Sequence, residues 1–260
     1  MPKLAANLSM MFNEIDFIDR FEAAGAAGFK GVEYLFPYAC EADDLRRRLD
    51  TSGLTQVLFN MPPGDWAAGE RGLACLPDRT DEFKAGVDLA LTYARALGCK
   101  RIHAMAGLIP EGFGPREIRE TYVNNLAYAA ERLKEQGITL LIEPINTRDM
   151  PGYYLNYSLQ AFYIIEDVGA DNIALQYDVY HAQVMEGDIA PTLSKFIDRI
   201  GHVQIADTPG RHEPGTGEIN YPFVLSHLDA IGYQGWVGCE YIPADTTLGG
   251  LGWADAYLKR

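Results

Sequence analysis

The sequence predicts an α/β protein: a closed (β/α)8 barrel, folded as one domain over residues 1–260, with long loops at 60–79 and 208–220. Three observations lead there. Eight short apolar runs recur along the chain at spacings of mostly about 25 to 45 residues, the repeat of strand–helix units. Helix-period segments lie between them. Polar residues break the later runs near their C-terminal ends, where barrel enzymes gather their active sites.

The runs, in order, are LAANL from residue 4, GVEYLF from 31, TQVLFNM from 55, RIHAMAG from 101, TLLIEPIN from 139, IALQYD from 173, HVQIAD from 202 and WVGCEYI from 236. Between the third and fourth runs, residues 82–98 place Phe83, Val87, Leu91 and Leu97 on an approximate apolar stripe. Residues 116–137 repeat the pattern with Ile118, Tyr122, Leu126, Ala129 and Leu133. Gly28, Gly53, Gly98 and Gly137 follow such segments as C-terminal stops. An open doubly wound sheet would carry a Gly-rich phosphate turn after its first strand, and Asn7-Leu8-Ser9-Met10-Met11 is not one. The GTG at 215–217 reads as a turn. The two long loops have the length of lids or binding loops, and Trp66 in the first must cover something.

Composition limits the partners. The chain of 260 residues is 48% hydrophobic and has a net charge of −14, from 36 Asp and Glu against 22 Lys and Arg. That balance argues against a general nucleic-acid surface, which needs clustered cations. The N-terminal stretch lacks the pattern of a secretory signal, and no run nears the roughly 18 apolar residues of a membrane span. Cys40, Cys75, Cys99 and Cys239 are scattered, with no CxxC pair for zinc or redox work. These features predict a reduced, cytoplasmic compartment with no membrane partner, and leave open whether the chain forms a homo-oligomer.

The chemistry sits on the last four runs. Glu143 ends the fifth, Asp178 ends the sixth, Gln204 lies inside the seventh and Glu240 is near the end of the eighth. Alternate strand residues share a face, so all four oxygen-bearing groups can converge at one mouth of the barrel. Burying carboxylates together is costly unless a cation compensates them. Three carboxylates and an amide oxygen form a hard ligand set, suited to one divalent ion, Mg²⁺ first and Mn²⁺ second, more than to Zn²⁺. A single Glu at a strand end is usually a solvated or paired group, but four such residues on successive strands favour the metal reading. His181 follows in DVYH and would face a substrate oxygen. Arg211, in the seventh loop, would pair with the carboxylate of an anionic substrate. HExxH, GxSxG and P-loop patterns are absent.

The stretches NMPPGDWAAGERG, LLIEPIN, DVYH and HVQIADTPGRHEPGTGEINY resemble the hydroxypyruvate isomerases, within the xylose-isomerase-like barrel superfamily. The resemblance runs essentially full length, and HEPGTGEI is its most specific part. It implies a barrel holding one divalent metal on Glu143, Asp178, Gln204 and Glu240. It makes Glu143 and Glu240 the acid/base pair, and turns His181 and Arg211 toward a small anionic oxo-hydroxy acid. The implied reaction interconverts hydroxypyruvate and tartronate semialdehyde (2-hydroxy-3-oxopropanoate) through a metal-stabilised enediolate. Sugar epimerases of the superfamily commonly carry His where this chain has Gln204. The alternatives are a 2-oxo-tetronate isomerase, a ketose 3-epimerase, a metal-dependent nuclease at abasic DNA sites and a non-catalytic metabolite-binding barrel.

Overall fold

A computed structural model describes residues 1–258. All eight runs are strands: β1 (Lys3–Asn7), β2 (Gly31–Tyr34), β3 (Thr55–Asn60), β4 (Arg101–His103), β5 (Thr139–Ile142), β6 (Ile173–Asp178), β7 (Ile200–Ile205) and β8 (Trp236–Cys239). They pair in parallel in chain order, and β8 pairs with β1 to close the barrel. Helices α1 (Arg20–Ala26), α2 (Ala42–Ser52), α3 (Thr80–Leu97), α4 (Pro115–Lys134), α5 (Ser158–Val168), α6 (Val179–Met185), α7 (Ile189–Phe196) and α8 (Tyr221–Ala230) connect them, and the short α9 (Thr247–Gly250) and α10 (Asp255–Leu258) follow β8. Among the described residues, no helix is long and apolar enough to cross a membrane.

The apolar stripes do what their spacing predicts. Phe83, Val87, Leu91 and Leu97 of α3 are buried, and the helix stops at Gly98 with φ 67°. The α4 stripe is buried too, but the helix ends at Lys134, and Gly137 (φ 62°) shapes the turn beyond it. These faces pack on the outer surface of the sheet and form the main core. A second, smaller core of Ala5, Val57, Leu58 and Leu141, flanked by Ala174 and Trp236, fills the barrel's lower interior.

Above that floor the interior turns polar. Register sets Gln176 beside His202, then Asp178 beside Gln204 and Gln204 beside Gly238. Glu33 of β2 is buried at this level. Its Oε1 accepts from Asn7 Nδ2 (3.1 Å) and Gln204 Nε2 (2.7 Å), and its Oε2 meets His202 Nε2 at 2.7 Å. Gly238 makes room for this carboxylate, because a Cβ there would collide with it.

Both long loops are anchored. In the first, Leu73, Ala74 and Cys75 are buried, Cys75 N–H donates to Ala106 O (2.8 Å), and residues 77–79 form a 3-10 turn. Only residues 65–68, at the tip, are exposed together. In the second loop, buried Asp207 accepts four backbone N–H groups, from Thr208, Gly215, Gly217 and Ile219, at 2.9–3.0 Å. The GTG is thus a turn wrapped around a carboxylate. The four cysteines are free, and Cys75, Cys99 and Cys239 are buried.

Candidate active site

The ends of β5, β6 and β8 bring Glu143, Asp178 and Glu240 together at the C-terminal mouth, and the first turn of α6 adds His181. Each offers one ligand atom, and these atoms lie within 4.8 Å of one another. All four residues are buried. Burial is the largest influence on each. It raises the pKa of Glu143 well above the carboxylate range, aided by Glu240 and Asp178. It pushes Glu240 up to about 8, with Arg211 partly opposing. Asp178 is raised by burial, against the pull of Arg211. Carboxylates so disfavoured as anions need a cation or a proton.

The donor atoms fit a divalent ion. Glu143 Oε1 and Asp178 Oδ2 are buried and have no hydrogen-bond partner among the described residues. Unpaired buried oxygens are uncommon and point to a missing partner. Gln204 lies next to Asp178 in the sheet. Its Nε2 is bound by Glu33, and its Oε1 accepts from Gln176 Nε2 at 2.6 Å. A carboxamide oxygen has two lone pairs, so one acceptor site is left over.

His181 is set up differently. Its Nδ1 lies 2.6 Å from Asn146 Nδ2 and 3.4 Å from Asn146 N. The amide orientation of Asn146 is fixed, because its Oδ1 accepts from Arg148 N and Asp149 N. Nδ1 is therefore an acceptor, and the proton of the neutral ring sits on Nε2. Burial and Arg211 keep the ring neutral, holding its pKa well below the usual histidine value. Nε2 faces Asp178 Oδ2 at 3.6 Å and Glu143 Oε1 at 3.8 Å. In this tautomer Nε2–H turns toward the two acids, and Arg211 Nη2, 3.4 Å from Nε2 and itself a donor, gains no hydrogen bond there.

Arg211 reaches in from the second loop with its backbone at φ 55°, a strained region for a non-glycine residue. Its Nη2 is 3.1 Å from Glu240 Oε2 and 3.7 Å from Asp178 Oδ2, and its Nη1 is 3.7 Å from Asp149 Oδ2. Burial opposes its charge, but these carboxylates outweigh burial and raise its pKa. The cavity in front measures about 230 Å³, and its lining includes Glu143, His181, Arg211 and Glu240 together with Asn60, Trp66 and Arg71. That is below the roughly 300–1,000 Å³ of pockets for drug-sized ligands.

Sequence reasoning passed over Arg71, Asn146 and Glu33. Glu33 carried a usable signal, a lone carboxylate inside an apolar strand. Arg71 and Asn146 lie in loops, where no periodicity marks them.

The chain is a closed parallel barrel with acids gathered at its C-terminal mouth, and it belongs to the xylose isomerase-like TIM barrel family. The model of the xylose isomerase-like TIM barrel family matches residues 21–257. Among curated proteins, the chain is 56% identical to a 2-oxo-tetronate isomerase of Cupriavidus necator over 100% of both chains. It is 51% identical to a hydroxypyruvate isomerase of Escherichia coli, covering 99% of this chain and 100% of that one. Among solved structures, an AP endonuclease, family 2, from Brucella melitensis superposes with a TM-score of 0.97 at 52% identity, over 99% of this chain and 100% of that one. A 3-keto-D-glucoside 4-epimerase of E. coli shares the fold at TM-score 0.79 and 20% identity, over 98% of this chain and 100% of that one.

Proposed function

We propose that the chain is an isomerase of small oxo-hydroxy acids, interconverting hydroxypyruvate and tartronate semialdehyde by a 1,2 proton shift through an enediolate. Glu143, Asp178, Gln204 and Glu240 hold one divalent ion, Mg²⁺ ahead of Mn²⁺. The observation that carries this reading is the set of buried carboxylates, two with unpartnered oxygens, facing a cavity of only about 230 Å³. The identities of 56% and 51% to isomerases of such acids support it.

A divalent ion held by these residues would supply positive charge that acidifies the C3–H bond beside the carbonyl. The residues do the rest. A carboxylate of the Glu143/Glu240 pair breaks the C3–H bond and keeps the proton, the electron pair becomes the second C2–C3 bond, and the C2=O π pair moves onto O2. The proton returns to C2, and the oxygen proton passes from O3 to O2, so the product is an isomer. Glu143 and Glu240 are buried carboxylates that meet at the mouth, and either can act as the positioned general base. His181 Nε2–H donates to the substrate oxygen that gains negative charge. Arg211 holds Glu240 and Asp178 in place and faces the substrate beside them. The reading places the enzyme in the cytoplasm, with a small anion as its partner.

A four-carbon substrate is the second reading, favoured by the 56% identity to a 2-oxo-tetronate isomerase. Abasic-site DNA cleavage, raised by the endonuclease name of the B. melitensis relative, fits less well. A net charge of −14 repels DNA, and one histidine among the clustered acids is a thin set for several zinc ions. The test is a panel of three- and four-carbon oxo-hydroxy acids in D₂O, with chelator-stripped protein and then added Mg²⁺ or Mn²⁺, followed by proton NMR. Metal-dependent deuterium uptake at the carbon beside the carbonyl is expected. Uptake into none of them, alongside nicking of an abasic-site oligonucleotide, would overturn the isomerase reading.

A further inference from the structure

The active-site cavity contains two guanidinium groups in opposite situations. Arg211 is hemmed in by Glu240, Asp178 and Asp149, so carboxylates of the chain itself answer its charge. Arg71, half-buried on the first long loop, makes no ion pair among the described residues. The neighbouring carboxylate, Glu70, is occupied by Arg79 Nη1 (2.7 Å) and Asp65 N (2.5 Å).

Arg71 is nonetheless held still. Its Nη1 donates to Trp66 O (3.1 Å) and Glu70 O (2.7 Å). Its guanidinium carbon lies 4.0 Å from the Trp66 ring centroid, and Trp66 packs against Phe36 at 5.1 Å. One nitrogen and one flat face are thus committed. The other edge, formed by Nε and Nη2, has no partner among the described residues. Two parallel N–H groups on a fixed plane match the geometry of a carboxylate.

We infer that Arg71, and not Arg211, binds the carboxylate of the substrate. The inference rests on the oxo-acid reading above and deepens it. Arg71 then selects acids over neutral sugars of the same size, while Arg211 serves the reacting end. The position of Trp66 also gains a purpose, since its ring is the plate on which the fork rests.

Kinetics and binding of Arg71→Met and Arg71→Lys test this. The substrates are hydroxypyruvate and its neutral counterpart dihydroxyacetone, both with added Mg²⁺. Calorimetric titration with tartronate reads binding without turnover. Arg71→Met should raise KM for hydroxypyruvate and weaken tartronate binding about ten- to hundredfold, with kcat changed far less and dihydroxyacetone unaffected. Arg71→Lys should recover part of the loss by charge alone. Unchanged KM and tartronate affinity in Arg71→Met, or equal loss on acid and neutral substrate, would overturn the inference and leave the isomerase reading standing. Wild-type protein that binds tartronate through Arg71 but turns over no acid would sink the isomerase reading and keep this one. Wild-type protein that does neither would sink both.

Discussion

Glu143 and Glu240 share a buried setting but not their restraints. Glu240 is tied to Arg211 Nη2 (3.1 Å) and Asn7 Nδ2 (3.2 Å), whereas Glu143 Oε1 has no hydrogen-bond partner among the described residues. Either substitution, Glu143→Gln or Glu240→Gln, should lower turnover by about 10³-fold or more, the scale of a lost acid/base group. The fold should survive, since Gln keeps the volume and removes a disfavoured buried charge. Turnover and thermal melting of the same samples check both halves, and near-normal rates in either variant would remove that residue from the mechanism. His181 carries a separate prediction. His181→Asn should cost about 10²-fold in kcat, the effect of losing one donor to a developing oxyanion. Asn146→Ala should act in the same direction and by less, because it removes the 2.6 Å side-chain contact to Nδ1 and leaves the backbone N–H at 3.4 Å.

The strands were legible because both faces of a parallel barrel strand are buried, so each reads as a short apolar run. The acids were legible for the complementary reason. Glu143, Asp178 and Glu240 stand where such a run stops, and few burdens other than chemistry keep a carboxylate there. What escaped were features set by contacts between elements. The amide of Gln204 is oriented by Glu33 from β2 and Gln176 from β6, and no local pattern shows either partner. Arg71 is placed by a ring five residues away along an irregular loop. The second loop behaves the same way. Its glycines looked like ordinary turn residues, yet they close around Asp207 and so carry Arg211 to the mouth. Asp207→Ala would strand four N–H groups. It should cost about 3 kcal/mol or more in denaturant unfolding and weaken activity with it. Gly238→Ala should also destabilise, by about 3 kcal/mol, by driving a methyl group into the Glu33 carboxylate.

For the molecule as a whole, the buried acids tie stability to pH. Folded Glu143, Asp178 and Glu240 hold protons more tightly than in the unfolded chain. Their contribution is full below the unfolded values, near 4–4.5, and fades as pH rises through the folded ones, to about 8 for Glu240. His103, depressed to about 3 by burial, works in the other direction and removes stability as pH falls from 6.5 toward 3. Metal-free protein should therefore melt at its highest temperature in mildly acidic buffer and lose ground toward pH 8. Saturating Mg²⁺ or Mn²⁺ should flatten that decline by replacing the protons. Melting curves across pH, with and without metal, check it, and a metal-free protein equally stable at pH 5 and pH 8 would contradict it.

The hydrocarbon plug of Ala5, Val57, Leu58 and Leu141 beneath the polar layer has a further effect. It closes the far end of the barrel, so solvent hydrogen has a single doorway, and a docked reactant slows passage through it. Hydrogen lifted from one carbon then reaches the next in part before it exchanges. Tritium carried in at C3 should reappear in part at C2 within one catalytic cycle, instead of washing out completely into the medium.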